Sequence, residues 1–245
     1  MNRVILAVFL ICFLSGARLK DSSSFHAEFV VWNIGQGQWT TWITPQTCFH
    51  YDIGGERDLS KKVALRCREK NNQVFLSHWD QDHVGLIKKY RKLVPDVCLF
   101  NYPLGKPSAG KLRLVQGIPL CPQLPVAAKR VFAGREGKGS NDTCQVFTIL
   151  NNKILIPGDS TKQEEKIWAP DLSPAISGLV LGHHGSRSSS SELLLQHLPH
   201  LRWAVASARK IRYGHPHPEV VARLREHHIP LLKTEDWGSL HFLLE

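Results

Sequence analysis

The pattern of apolar and polar positions divides the chain into short strands and amphipathic helices. Residues 28–32 and 39–44 read as two strands on either side of NIGQGQ, a glycine-punctuated turn. A third strand ends in YDIGGE. Over residues 59–70, Leu59, Val63, Ala64 and Cys67 fall at helical spacing with Lys and Arg on the opposite face. Residues 73–77 form a buried strand that ends at HWDQDH, and residues 86–94 form a basic helix stopped by Pro95. Residues 103–130, rich in Pro, Gly, Lys and Arg, lack a clear period and read as a surface insertion or a binding loop. Two strands at 144–150 and 153–156 flank Asn151-Asn152, a hairpin signal, and the second ends in PGDS. Strands at 178–182 and 203–206 alternate with helices at 190–198 and 219–228, before a final pair of strands around Leu231 and His241. With no repeat and no linker, this order predicts one layered α/β domain.

Residues 1–17 follow another pattern. Arg3 gives a short positive start, residues 4–14 are an unbroken apolar run, and Ser15-Gly16-Ala17 are small. The run falls short of the about 20 residues that cross a bilayer. It reads as a signal peptide, with a short uncleaved anchor as the alternative, leaving residues 18–245 as the domain. The expected location is secreted or periplasmic, with no integral membrane segment in the mature chain.

The chain has 245 residues, 42% of them apolar and 21% charged, which excludes low-complexity and collagen-like classes. Thirty-one Lys and Arg against 21 Asp and Glu give a net charge of +10. That suits a polyanionic partner, and equally a solvated basic surface. Apart from Cys12, the cysteines are Cys48, Cys67, Cys98, Cys121 and Cys144, none in a C-x-x-C pair. An oxidising compartment permits one or two disulfides and leaves at least one thiol over.

The strongest chemical signal is His78-Trp79-Asp80-Gln81-Asp82-His83. Four imidazole or carboxylate ligands in six residues suit Zn, Mn or Fe, and can serve two ions at once. A helix cap needs only one such residue.

This HxDxDH segment resembles the metal motif of the metallo-β-lactamase fold. The likeness continues in NIGQGQ, YDIGG, PGDS, GHHGSRSSSSELL, YGHPHPEVVARL and KTEDWGSLHF, and together these resemble the metallo-β-lactamase-like domain of ComEC-type DNA-uptake proteins. The resemblance implies a four-layer αββα sandwich and two divalent metal ions, Zn2+ or Mn2+, held by His78, Asp80, Asp82, His83 and a bridging Asp159. One of His183 and His184 joins them. Adjacent residues leaving a strand face opposite ways, so His183 is preferred, with His184 as the alternative. Asp52 is a supporting residue, and Asn141 stands where many members of the fold place a metal-binding His. Asn33 and Gln38 replace acidic residues of the family pattern, which is expected to make the cleft less anionic.

The implied activity is hydrolysis of a phosphodiester, most specifically DNA, by water activated between two ions. Asp82, Asp159 and His215 are the candidate catalytic residues. Ser186 and His217 are candidates for substrate phosphate, although Ser186 and Ser188 to Ser191 also suit a cap for the helix that follows. Lys88 and Lys89 are candidates for contacts to the DNA backbone without sequence readout, and Trp79 and Tyr213 for base stacking. Two other readings share these residues. One is hydrolysis of a small ester, lactone or phosphorylcholine-type envelope group. The other is a catalytically weak DNA-binding uptake factor.

Overall fold

The computed structural model describes residues 27–122, 128–136 and 139–244. The signal peptide expected over residues 1–17 lies outside the described residues. Twelve strands are described: β1 (Ala27–Val31), β2 (Thr40–Ile43), β3 (Thr47–Tyr51), β4 (Asn71–Phe75), β5 (Val97–Leu99), β6 (Ala128–Phe132), β7 (Val146–Ile149), β8 (Ile154–Ile156), β9 (Gly178–Val180), β10 (Trp203–Ala206), β11 (Leu231–Lys233) and β12 (Leu240–Leu244). They form two six-stranded sheets, ordered β12-β1-β2-β3-β4-β5 and β11-β10-β9-β8-β7-β6.

Strand alternation explains the layering. Side chains along a strand point to opposite faces in turn, and the buried apolar residues separate accordingly into three clusters. Phe29, Val31, Phe49, Tyr51, Phe75, Phe147, Ile154, Ile156, Val180 and Val205 pack between the two sheets. From the same strands Val30, Cys48 and Val74 face outward, where Val63 and Ala64 of helix Ser60–Cys67 and Ile87 and Tyr90 of helix Ile87–Arg91 cover them. On the other side Leu155, Leu179, Ala204 and Ala206 face Trp168, Leu194, Leu195, Val220 and Leu224 from three further helices. Three apolar interfaces make four layers, and this is the αββα sandwich. Burying each of the large residues in the central interface contributes roughly 1.5–3 kcal/mol.

The last two strands do not pair with each other. β11 adds in parallel to β10, whereas β12 crosses to the other sheet and pairs antiparallel with β1. Apolar patterning reports a strand and not its neighbour, so this closure was hidden in the sequence. The irregular stretch after Pro103 contains helix Ala109–Val115 and strand β6, and helix Lys162–Trp168 follows the PGDS turn. All three are too short to show a clear period. Two disulfides, Cys48–Cys67 and Cys98–Cys121, tie β3 to its covering helix and β5 to the chain beyond helix Ala109–Val115; Cys144 is free and buried. Closing loops of this length stabilises a fold by about 3 kcal/mol each.

A buried polar network lies under the first helical layer. His50 projects outward from β3, fully buried, with the Trp39 indole N–H donating to its Nδ1 at 3.3 Å and the Thr41 hydroxyl at 2.9 Å from the same nitrogen. The Thr41 oxygen in turn accepts from Trp32 Nε1 at 2.8 Å, so its own proton is free to point at His50. An indole can only donate, so Nδ1 carries no proton and Nε2–H donates to Asn72 Oδ1 at 3.0 Å. Burial lowers the His50 pKa to about 4, and the Asn72 hydrogen bond only partly opposes it. The unfolded chain therefore takes up this proton first, near pH 6.5, while the folded chain resists it until about pH 4. Stability is retained above pH 6.5 and decreases by about 3 kcal/mol as pH falls through that window. Urea unfolding at pH 7.5, 5.5 and 4.5 should show a steeper loss for the natural chain than for His50→Gln; equal slopes for the two would remove His50 from the acid response.

Candidate metal centre

The site forms where the C-terminal ends of two sets of parallel strands meet. β3 and β4 of one sheet deliver Asp52 and the HWDQDH segment, while β8 and β9 of the other deliver Asp159 and the His183-His184 pair. Glycine makes the local geometry feasible at two points. A side chain on Gly54 would come within 2.3 Å of the backbone at Asp82 and His83, so YDIGG allows the chain to lie directly against the metal motif. Backbone bonds from Ile53 N to His83 O (2.7 Å) and Leu86 N to Ile53 O (2.9 Å) then hold helix Gln81–Val84 in place. Gly158, at φ +55°, sits 2.5–2.6 Å (from its notional Cβ) from Cys144 Sγ and Ser77 Cβ. No other residue fits the PGD turn that aims Asp159.

Asp159 lies at the centre of four imidazoles. Its Oδ1 is 3.0 Å from His83 Nε2 and 3.6 Å from His184 Nε2; its Oδ2 is 3.5 Å from His183 Nε2 and 3.8 Å from His78 Nε2. His83 Nε2 and His184 Nε2 lie 3.3 Å apart, His184 Nε2 is 3.3 Å from Asp82 Oδ2, and His78 Nε2 is 3.3 Å from Asp80 Oδ2. All seven expected ligands are thus in one cluster. Asp159 Oδ1 and His78 Nε2 are buried and make no hydrogen bond among the described residues. Close approach without hydrogen-bond alignment is the arrangement of lone pairs aimed at shared points between them. His78, His83 and Asp159 form one compact trio of ligand atoms, and Asp82, His83 and His184 a second. Orphaned buried donors and an imidazole–carboxylate set fit divalent cations.

Both His183 and His184 approach Asp159, but it is His184, not the preferred His183, that joins a compact group of ligand atoms with Asp82 and His83. Both have left-handed backbones, φ +46° and +55°, so strand alternation does not apply and both rings turn inward. His184 is almost fully buried, whereas His183 is partly exposed, with its Nδ1 near Asn141 Nδ2 (3.4 Å) and Ser188 Oγ (3.3 Å). Asn141 therefore touches the cluster through a histidine.

Asp52 supports the cluster from behind. Its Oδ2 lies 2.7 Å from His83 Nδ1 and accepts from Ser77 Oγ (2.7 Å) and Gln38 Nε2 (2.9 Å), while Oδ1 accepts from Ser77 N (2.8 Å). A carboxylate on Nδ1 keeps a proton there, so Nε2 is the nitrogen that a cation would take in exchange for its proton. The two departures from the family pattern are thereby placed. Gln38 is buried and donates to Asp52, and the Asn33 backbone N–H donates to Ser239 Oγ at 3.1 Å. Neither is among the residues lining the cleft beside Asp82 and His184.

Electrostatics follow from burial and pairing. Burial opposes ionisation of Asp159, but His83, His184 and His78 outweigh it and hold this carboxyl far below the usual range. Burial likewise opposes a charge on His83, yet Asp159 and Asp52 raise its pKa well above the ordinary value. Asp82 is lowered to about 2, because His184 and His83 overcome its partial burial. Asp80 is held well below the carboxylate range, first by His78, with Ser140 and Lys111 adding to it. These are permanent anions around a cluster of ring nitrogens.

A cleft of about 420 Å3 opens beside Asp82, His183 and His184, with Gln36, Glu56, Tyr213 and His215 on its other walls. Gln36 Oε1 accepts from Arg209 N (3.2 Å), which turns its amide NH2 toward His215 Nδ1 (3.3 Å). His215 then carries its neutral-form proton on Nε2. Its pKa is lowered, by burial first and then by His184 and His183. Glu56 ties the same loop down through Arg209, Arg212 and Tyr213. Gln36 and Glu56 were missed in the sequence, since neither belongs to a ligand pattern.

Other expected residues are not brought to the centre. Lys88 and Lys89 lie on the exposed face of helix Ile87–Arg91, and Lys89 pairs with Asp58 at 3.2 Å. The helix buries Ile87 and Tyr90, which forces both lysines outward. His217 caps helix Pro218–Glu226 by accepting from Glu219 N at 3.3 Å. Ser191 caps helix Glu192–Gln196, and Ser186 Oγ contacts Ser188 Oγ at 3.0 Å. Trp79 is buried, its indole donating to the Pro103 carbonyl at 3.1 Å.

The fold is that of the metallo-β-lactamase-fold proteins: the Bacillus subtilis metallo-beta-lactamase fold protein YhfI superposes with a TM-score of 0.55 at 11% identity, over 88% of this chain and 100% of that one. In sequence the chain is similar to one segment of each of three longer proteins. It is 28% identical to Competence protein ComA of Neisseria gonorrhoeae over 96% of its own length and 35% of that protein's. It is 32% identical to ComE operon protein 3 of Bacillus subtilis over 77% of its own length and 26% of that protein's. It is 36% identical to Recombination protein 2 of Haemophilus influenzae over 69% of its own length and 22% of that protein's. The chain thus spans about a third or less of these relatives. No protein-family model matches it.

Two substitutions probe the cluster. Asp159→Asn should abolish the rise in Tm on adding Mn2+ or Zn2+, and Asp52→Asn should weaken metal affinity roughly 10–100-fold while far-UV circular dichroism is unchanged. A natural protein whose Tm ignores both metals would refute the assignment.

Proposed function

We propose that this chain is a metal-dependent phosphodiesterase that cuts DNA without sequence preference. The observation that carries the proposal is the convergence of His78, Asp80, Asp82, His83, Asp159, His183 and His184, with two of their buried ligand atoms left without hydrogen bonds. His78, His83 and Asp159 would hold one divalent ion and Asp82, His83 or Asp159, and His184 a second, with Asp80 and His183 completing the set. When bound, Zn2+ or Mn2+ supplies water activation and neutralises charge developing on the phosphoryl oxygens. The chain's own residues do the rest. Asp52 keeps His83 in the required tautomer, Asn141 and Ser188 orient His183, and His215 presents its Nε2–H as a hydrogen-bond donor to charge developing on a leaving oxygen.

The choice of DNA over a small ester is supported by relatives named for competence and recombination, and by a net charge of +10. The two disulfides are in keeping with an exported protein, secreted or periplasmic. No helix among the described residues is long and apolar enough to cross a membrane.

Single- and double-stranded DNA should be cleaved with Mn2+ or Zn2+, and cleavage should vanish in Asp80→Ala. Phosphate contacts release counterions, so DNA binding should weaken steeply between 50 and about 200 mM salt. Turnover of a lactone or a chromogenic ester with no action on DNA would move the protein to the small-ester reading. DNA binding without turnover of anything would make it an uptake factor. Mass spectrometry of the product exported from its natural host should find the N-terminus at or near residue 18, and an intact Met1 would overturn that part.

A further inference from the structure

The metal cluster has a second neighbouring cavity, whose lining does not include His215. It occupies about 280 Å3 between the chain at 104–111 and the turn at 139–143. Two contacts join it to the centre: Lys111 Nζ lies 3.3 Å from Asp80 Oδ1, and Ser140 Oγ donates to Asp80 Oδ2 at 2.7 Å. Its inner wall is Trp79, pinned by the Pro103 carbonyl and stacked on the half-exposed Tyr102 at 6.5 Å between ring centroids. Its rim is cationic and hydroxylic, from Lys106, Lys111 and Ser108. Lys106 is exposed and makes no ion pair among the described residues. The acidic groups nearby are already committed. Asp80 faces His78, Lys111 and Ser140, and Asp142 Oδ2 accepts the Gly139 N–H at 3.1 Å. A cavity the size of one small ligand group is therefore lined by both an indole and an ammonium without an ion-pair partner among the described residues.

Two chemically different recesses thus adjoin the metal cluster. The cleft beside His215 carries Glu56 and Asp82 and a neutral imidazole as hydrogen-bond donor, while the cavity beside Asp80 carries a cation without an ion-pair partner among the described residues. In a polynucleotide the phosphodiester to be cut has, beyond each flanking sugar, another phosphate, which an isolated phosphodiester lacks. We infer that the cavity lined by Trp79, Lys106, Ser108, Lys111 and Ser140 seats the nucleotide adjoining the bond to be cut, with Lys106 holding its phosphate. This rests on the phosphodiesterase reading and deepens it: the cavity selects polynucleotides over isolated phosphodiesters. Lys111 has a second duty toward Asp80, so Lys106 is the residue that isolates the cavity's contribution.

The test compares the natural protein, Lys106→Ala and Lys106→Arg on a single-stranded oligonucleotide and on bis(p-nitrophenyl) phosphate, which has one phosphate and no second one for Lys106 to hold. Lys106→Ala should raise KM for the oligonucleotide roughly five- to tenfold with little change in kcat, leave both constants for the small diester unchanged, and be rescued by Lys106→Arg. Oligonucleotide affinity by fluorescence anisotropy in EDTA should fall by a similar factor, with the slope of log K against log salt reduced by about 0.7. Equal shifts for both substrates, or unaltered oligonucleotide binding and KM in Lys106→Ala, would overturn the assignment. If no phosphodiester is turned over but Lys106→Ala still weakens oligonucleotide binding, the phosphodiesterase reading fails and the nucleotide seat stands. Absence of oligonucleotide binding in the natural protein ends both.

Discussion

The buried carboxylate of Asp159 is the constraint around which this site is built. An isolated charge at that depth costs several kcal/mol, and it is tolerated only where opposite charge surrounds it. Here four imidazoles from two separate segments face its two oxygens. Each comes from a strand end, so the position of Asp159 depends on the two sheets packing in one register. The apolar interface between the sheets and the polar cluster at their edge are therefore two parts of one structure. Moving either sheet by a residue would separate the carboxylate from its partners.

A second ring of contacts turns proximity into defined chemistry. Histidine has two nitrogens, and which one presents a lone pair depends on what holds the other. Asp52 makes that choice for His83, Asn141 and Ser188 contact Nδ1 of His183, and Gln36 makes it for His215. Cys144 contributes in the same way to the backbone, its sulfur accepting the Asp159 N–H at 3.1 Å. Burial and the carboxylates of Asp159 and Asp52 raise its thiol pKa well above the ordinary value, which suits a packing residue and not a nucleophile.

The surroundings of the cluster are unequal. On one side a loop tied down by Glu56 carries His215, and on the other Lys111 and Ser140 restrain Asp80. The basic residues on the outer helices, Lys88 and Lys89 among them, lie on a different layer. Net charge summed along the chain is thus a poor guide to where a polyanion meets the site.

Sequence by itself determined the layered class, most of the strands, and the ligand types. Period-two alternation separates inner from outer residues within each strand, and HWDQDH and PGDS concentrate ligands in stretches too short for packing to explain. Only the tertiary structure decided how those pieces meet. Strand pairing is non-local, so nothing near His241 announces that β12 joins β1. Backbone handedness at His183 and His184 is imposed by the surrounding turn, and it reverses the alternation argument that a strand end invites. Gln38, read as a missing acid, proved to be a donor to Asp52. The residues that orient ligands are ordinary amides, hydroxyls and carboxylates, and distance alone gives them their roles.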